Sequence, residues 1–332
     1  MDDHGTTGGH PVSRRCRRAF FVPLAGLAIA TMIGAGPLTA GHRPSAETVR
    51  PSGYATPTAE TVRPAEHVTL AASNTPGSGL ADMVARIDAM GRTGPSRAEY
   101  GVAVLDRKTG RLTLGAEGNV AFFSASVVKL FTATAVLHRV ESGDAQLSPA
   151  QRTQIQRALT VSDNAAMNAL WTAFGGPSTV TDMVQLAGLH ETRPPDTPGE
   201  WGETRMSPRD VVAVYQYVLT QLSQPNRDLV LNSLATPGTA GADNFNQSFG
   251  LLRTPGLPGA AGKQGWMIDR GHLYMHSTGV LGPDHRYVMV VLSKHLASVG
   301  YPEGRQRLDS VVWAMAGVLG LLSAVDKSGN AL

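Results

Sequence analysis

Ser126 and Lys129 stand three residues apart in the apolar run Phe122-Phe123-Ser124-Ala125-Ser126-Val127-Val128-Lys129-Leu130-Phe131. If Ser126 opens a helix, Lys129 lies one turn further along the same face, and its amine can reach the Ser126 hydroxyl. A serine hydroxyl is a weak nucleophile at neutral pH until a neighbour accepts its proton, and the positive end of a helix favours the negative charge that develops there. The two residues are therefore a candidate nucleophile and base. Taken alone, Ser-x-x-Lys also describes a capped helix with a solvated lysine, so the rest of the chain must decide.

Two further clusters bear on the choice. In Thr160-Val161-Ser162-Asp163-Asn164-Ala165-Ala166-Met167-Asn168, a polar triplet sits at a helix start. Ser162 offers a relay hydroxyl, and Asn164 offers both an amide donor and an acceptor. In isolation the triplet is a helix cap. Lys263-Gln264-Gly265-Trp266 places a lysine on a strand beside a glycine that permits close backbone approach, which suits an anionic substrate. In isolation that lysine is an edge charge guarding against aggregation.

Ser-x-x-Lys, Ser-Asp-Asn and Lys-x-Gly, in that order, resemble the active-site signature of class A serine β-lactamases and their penicillin-recognising relatives. The resemblance takes in Asp106, Thr109-Gly110 and Phe122 before the nucleophile. It continues through Asn168, Gly175-Gly176-Pro177 and Leu189 to Arg193, and through Leu257-Pro258 and Ala261-Gly262 ahead of Lys263. It covers about residues 80 to 325. Two other copies of the third motif lack these neighbours: Lys108-Thr109-Gly110 lies in a hairpin turn ahead of the nucleophile, and Lys327-Ser328-Gly329 lies in a polar tail.

The resemblance implies a mechanism. Ser126 attacks a strained or activated amide carbonyl, Lys129 accepts or relays its proton, and Ser162 passes a proton to the leaving nitrogen. Asn164 hydrogen-bonds the substrate side chain, and the strand Lys263, Gln264, Gly265 and Trp266 binds the rest, with Lys263 attracting a carboxylate. Backbone N–H groups of Ser126 and Trp266 form the oxyanion hole. The product of this half-reaction is an acyl-enzyme.

Two departures from the family pattern keep the outcome open. Gln264 stands where the family usually carries Ser or Thr, whose hydroxyl helps to hold a substrate carboxylate. The family's deacylating glutamate belongs to a Glu-x-x-x-Asn pattern in an omega loop. Here the stretch from Arg193 to Thr204 is short and proline-rich, with no asparagine four residues after either glutamate. Position makes Glu200 the nearest candidate, with Asp196 and Glu203 behind it. The readings are a β-lactam hydrolase, a cell-wall peptide hydrolase or penicillin-binding protein that deacylates slowly, and a non-catalytic wall-binding module on the same fold.

The elements that must position these residues follow from periodicity. Leu80, Met83, Val84 and Ile87 recur at helical spacing, and Tyr100 to Leu105 and Arg111 to Leu114 form a hairpin about Asp106 to Gly110. The Ser126 helix runs to about Val140 and ends near Gly143. Helices are expected from Ser148-Pro149, over Asn164 to Phe174 and Ser178 to Ala187, from Ser207-Pro208, and over Asp228 to Leu234. Strands follow at Lys263 to Ile268, Leu273 to Val280 and Arg286 to Ser293, then a helix from Leu308 to Leu322. The expected fold is α+β in three layers, its antiparallel sheet built from both chain ends with a helical subdomain inserted between.

The chain has 332 residues and a hydrophobic content of 42%, enough for one large domain with extensions. The formal charge is only +3, and Arg14, Arg15, Arg17 and Arg18 contribute to it outside the folded body, which gives no reason to expect nucleic acid. Those arginines precede an uncharged run from Ala19 to Ala40, which reads as an export signal over residues 1 to 40 or as an anchor through residues 19 to 40. The only cysteine, Cys16, precedes that run, so the body holds neither disulfide nor thiolate nucleophile. Residues 41 to 79 repeat Ala-Glu-Thr-Val-Arg-Pro from Ala46 and from Ala59, in a composition too poor in large apolar groups to fold. They form a linker to the domain at 80 to 325, and residues 326 to 332 form a tail. The expected protein is exported and monomeric, needs no metal or organic cofactor, and takes a small β-lactam or a peptidoglycan peptide as substrate.

Overall fold

A computed structural model describes residues 79–93, 98–253 and 256–322. The expected signal or anchor, nearly all of the linker, the tail and Lys327-Ser328-Gly329 lie outside the described residues.

In chain order, α1 (Gly79–Thr93) leads into β1 (Glu99–Asp106) and β2 (Arg111–Leu114), then a two-residue strand β3 (Phe122–Phe123). Six helices follow: α2 (Val128–Ser142), α3 (Pro149–Thr160), α4 (Asn164–Ala173), α5 (Pro177–Leu186), α6 (Pro208–Thr220) and α7 (Gln224–Ala235), with the short strand β4 (Arg205–Met206) just before α6. The chain then returns to the sheet as β5 (Ala261–Asp269), β6 (His272–Leu281) and β7 (Tyr287–Leu296), and finishes in α8 (Gly300–Val318).

The five long strands lie in the order β2-β1-β7-β6-β5, every neighbouring pair antiparallel. The two chain ends thus meet at the β1–β7 seam, as the sequence predicts. Because strand side chains alternate, each strand feeds two cores. Ala103, Leu105, Val288 and Val290 join a core with Val136, Met183 and Val214 of the inserted helices. Val102, Val104, Met289 and Val291 join the other, with Met83 and Ile87 of α1 and Leu308 and Val312 of α8. The result is helix, sheet, helix.

Polar residues at the helix ends set where the inserted helices begin. Ser148 and Gln151 form a reciprocal capping box on α3, with hydrogen bonds of 2.9 and 3.2 Å. Asp163 accepts from the N–H groups of Ala165 and Ala166 at the start of α4, and Ser207 accepts from Asp210 at the start of α6. Each such cap stabilises its helix by about 1 kcal/mol. Gly143 ends α2 with φ of 84°, a left-handed conformation that costs glycine little.

Several boundaries differ from expectation. Ser126 does not open α2: it lies in a 3-10 turn, Ala125–Val127, that leads into the helix. The closing helix starts at Gly300 rather than Leu308, because its first turns carry Glu303, Arg305, Gln306 and Arg307, which obscure the apolar pattern, and it stops at Val318. Helix α7 likewise begins at Gln224, ahead of the expected Asp228. The ribbon β3–β4, pairing Phe122 with Met206 and Phe123 with Arg205, is too short for a periodic signal.

Candidate active site

Three elements bring the polar clusters together. The 3-10 turn before α2 carries Ser126, the turn before α4 carries Ser162 and the first residue of α4 is Asn164, and β5, at the sheet's edge, carries Lys263. Lys129 is the hub. Its Nζ lies 2.8 Å from Ser126 Oγ, 2.6 Å from Ser162 O, 3.1 Å from Ser162 Oγ and 2.7 Å from Asn164 Oδ1. Lys263 approaches from the strand, donating to Ser162 Oγ at 2.9 Å and to the carbonyl of Gln264 at 2.9 Å. All three motifs therefore converge on one hydrogen-bonded cluster.

Burial decides the electrostatics. Lys129 and Lys263 are each only 1% exposed. Burial pulls the Lys129 amine down to about 7, against a weaker upward pull from Asp243 and Asp163. Lys263 is pushed well below the usual lysine range, first by burial and then by the neighbouring Lys129. A lysine near 7 is substantially neutral at physiological pH and can accept a proton. Asp163 takes no part in that exchange. Burial raises its carboxyl, but the N–H groups of Ala166 and Ala165 and the Arg157 guanidinium at 2.7 Å outweigh it and keep the carboxyl ionised.

The backbone is strained where chemistry is expected. Ala125, beside Ser126, has φ of 45°, and Ser162 has φ of 53°. A non-glycine residue in that region costs about 1–3 kcal/mol and persists only where its surroundings hold it. Here the Ser162 carbonyl is held by Lys129, and Ser124 N–H by Thr204 O at 2.8 Å.

A cleft of about 420 Å³ opens beside Ser126, lined also by Ala125, Asn164, Asn168, Glu200 and Trp266. The two residues expected to donate an oxyanion hole, Ser126 and Trp266, both face it. Gln264 does not. Its side chain is buried, with Nε2 donating to the Phe249 carbonyl and Oε1 without a hydrogen-bond partner. Gly265 supplies closeness rather than contact, since a Cβ there would sit 3.0 Å from the Ser124 carbonyl. Trp266 stacks on Phe245, ring centres 4.5 Å apart, and donates to Asp243 Oδ2 at 3.2 Å.

The loop acids separate clearly. Glu203 pairs with Arg270 at 2.7 Å, and Asp196 faces Arg205 at 3.4 Å on the surface. Glu200 alone of the three lines the cleft. Among the described residues no carboxylate hydrogen-bonds Lys129 or Ser126; the ring of Trp201 stands there instead, its centre 4.8 Å from Lys129 Nζ.

Other residues hold the site together without any signal in the sequence. Tyr215, fully buried, accepts from the Lys263 N–H at 3.2 Å and meets Thr278 Oγ1 at 3.0 Å, while Thr278 donates to the Lys263 carbonyl. His276, which burial lowers to about 4, bridges the Phe123 carbonyl and the Ser293 N–H. Only the fold brings these residues beneath the cluster.

The fold is that of class A β-lactamases. A β-lactamase from Xanthomonas campestris superposes with a TM-score of 0.58 at 20% identity, covering 73% of this chain and 99% of its own. The "Putative Class A Beta-Lactamase PenP" from Rhodopseudomonas palustris gives 0.56 at 24% identity, covering 72% and 98%. The model of the "Beta-lactamase enzyme family" matches residues 83–154 and 151–312, and the chain belongs to that family. In sequence it is 34% identical over 229 residues to a Mycobacterium tuberculosis protein named "Putative lipoprotein LppW", covering 67% of this chain and 72% of that one. It is also 31% identical over 120 residues to "Beta-lactamase CARB-4" of Pseudomonas aeruginosa, covering 29% and 41%.

Proposed function

We propose that the protein is an exported serine hydrolase that forms an acyl-enzyme at Ser126. The observation that carries this reading is the 2.8 Å contact between Lys129 Nζ and Ser126 Oγ, with the amine held near 7 by burial. The neutral amine takes the Oγ proton as the oxygen bonds to the substrate carbonyl carbon. Ser162, in contact with both lysines, passes a proton to the leaving nitrogen as its bond to that carbon breaks. Ser126 and Trp266 N–H groups stabilise the intervening oxyanion.

The substrate is a β-lactam or a peptide of the cell wall. The second of these, with slow deacylation, is favoured by the aromatic ring over Lys129 where a water-activating carboxylate would be needed. Export is supported by the basic and apolar N-terminal pattern and by the lipoprotein name of the M. tuberculosis relative.

Labelling with a fluorescent penicillin, followed by nitrocefin turnover, tests the reading. A covalent label that is absent in Ser126→Ala supports it, and an equal label in that variant overturns the nucleophile assignment. A burst without turnover points to the slow hydrolase, whereas sustained turnover points to a β-lactamase, with Glu200→Gln testing whether that residue serves the water.

A further inference from the structure

Lys129 adjoins an open cleft and yet is almost wholly shielded from solvent. Its Nζ lies within hydrogen-bond distance of four oxygens on Ser126, Ser162 and Asn164. Trp201 covers it on the loop side.

That indole is fixed at several points. Its Nε1 donates to Asn168 Oδ1 at 2.8 Å. The buried Ser124 hydroxyl reaches the carbonyls of Trp201 and Gly202 at 3.5 and 3.2 Å, tying the ring's backbone to the nucleophile turn. Ahead of it, Trp171 Nε1 donates to the Pro198 carbonyl at 2.7 Å and anchors the approach.

We propose that Trp201 is a positioning residue that caps Lys129 and denies hydrolytic water a place beside it, so that the acyl group is retained on Ser126. The proposal rests on the acyl-enzyme reading above. Hydrolysis needs a water oxygen to bond to the acyl carbon while its proton passes to a base. The bond from that carbon to Ser126 Oγ then breaks, and Oγ regains a proton. Lys129 is the base in contact with Ser126, and the Trp201 ring occupies the loop side of its amine, closing that side to a water.

The groups facing Lys129 are Ser126 from its own segment, Ser162 and Asp163 from the turn before α4, Asn164 from the start of α4, Lys263 from β5, and Asp243 and Trp201 from the loops. Because burial is the largest influence on the amine, opening the cap moves its titration upward.

The test uses the whole protein, acylated by a fluorescent penicillin and followed by intact mass. Trp201→Ala is expected to shorten the adduct's life about tenfold and to move the inflection of the acylation pH profile up by about one unit. Trp201→Phe, which keeps a ring, restores both toward wild type. Asn168→Ala, which frees the indole, moves both in the direction of Trp201→Ala and serves if that variant fails to fold. An unchanged adduct lifetime and pH profile in Trp201→Ala and Asn168→Ala overturns the proposal. So does rapid wild-type turnover, which leaves the acyl-enzyme reading standing. If no adduct forms at all, that reading falls. The proposal falls with it, because there is then no acyl group to retain.

Discussion

Lys129 and Lys263 both direct their amines at one hydroxyl, Ser162 Oγ, at 3.1 and 2.9 Å. The hydroxyl oxygen can accept from both, but two ammonium groups this close repel, and Lys263 is lowered first by its own burial and then by the neighbouring Lys129. Ser162 therefore stands between two nitrogens, and in the proposed mechanism Lys129, once it has taken the Ser126 proton, is the one able to replace a proton that Ser162 gives up.

Replacing that hydroxyl should break the relay. Ser162→Ala is expected to slow acylation by a fluorescent penicillin about 10²-fold while leaving the thermal midpoint within a few degrees, since the left-handed backbone there is strained for alanine and serine alike. Stopped-flow labelling and a thermal melt together check this. Acylation at the wild-type rate would remove Ser162 from the mechanism.

Acylation should rise with pH through about 7, as Lys129 loses its proton. Lys129→Arg keeps a cation but cannot release a proton, so it should lose at least about 10²-fold in rate at every pH and flatten the profile. A variant with the wild-type inflection would place the base elsewhere.

Gly265→Ala should harm the site because its Cβ would come within 3.0 Å of the Ser124 carbonyl and 3.1 Å of Val127. Both belong to the nucleophile turn. Overpacking of this kind costs about 1–3 kcal/mol, and a displaced nucleophile is expected to cost about tenfold or more in acylation. Unchanged labelling would mean that the turn is not held by β5.

Acid should weaken the fold. Burial holds both His276 and His295 down to about 4, whereas an unfolded histidine titrates near 6.5. The unfolded chain thus binds more protons between those values, so their contribution is complete above pH 6.5 and is lost as pH falls toward 4. Each histidine should account for about 2 kcal/mol by pH 5. Denaturant midpoints at pH 7.5 and 5.0 measure the drop, and His295→Phe should reduce it.

The chemistry was legible in the sequence to the extent that it sits in short motifs. Ser126 and Lys129 lie at a spacing that lets them meet, and the convergence of Ser162, Asn164 and Lys263 on them is what the resemblance of the three motifs to the class A signature implies. Strand and helix existence followed the apolar periods, whereas the start of α8 was hidden by its charged first turns. The residues around the cluster were illegible for a different reason. Tyr215, Thr278 and His276 look like ordinary core positions, and what makes them part of the site is the register of β5, β6 and β7 and the packing of α6 across it. Trp201 is similar: nothing in Glu200-Trp201-Gly202 distinguishes a cleft wall from a surface turn. Gln264 shows the limit of a motif, because its position matches the pattern and its side chain turns inward to Phe249.

The seam between β1 and β7 also dictates when the molecule can become itself. Glu99 and Lys294 face each other across it, 195 residues apart along the chain. A polypeptide that emerges with its amino end first offers β1 and β2 long before their partner strand exists, and loops of that length close slowly. Until β7 arrives, β1 shows one side of its backbone without the hydrogen bonds it will have, and the edge strand bearing Lys263 has no sheet to belong to. The assembled cluster is thus a late product of synthesis: a chain that stops short of its final strand can contain every residue of the three motifs and still lack the sheet that brings Lys263 to the others.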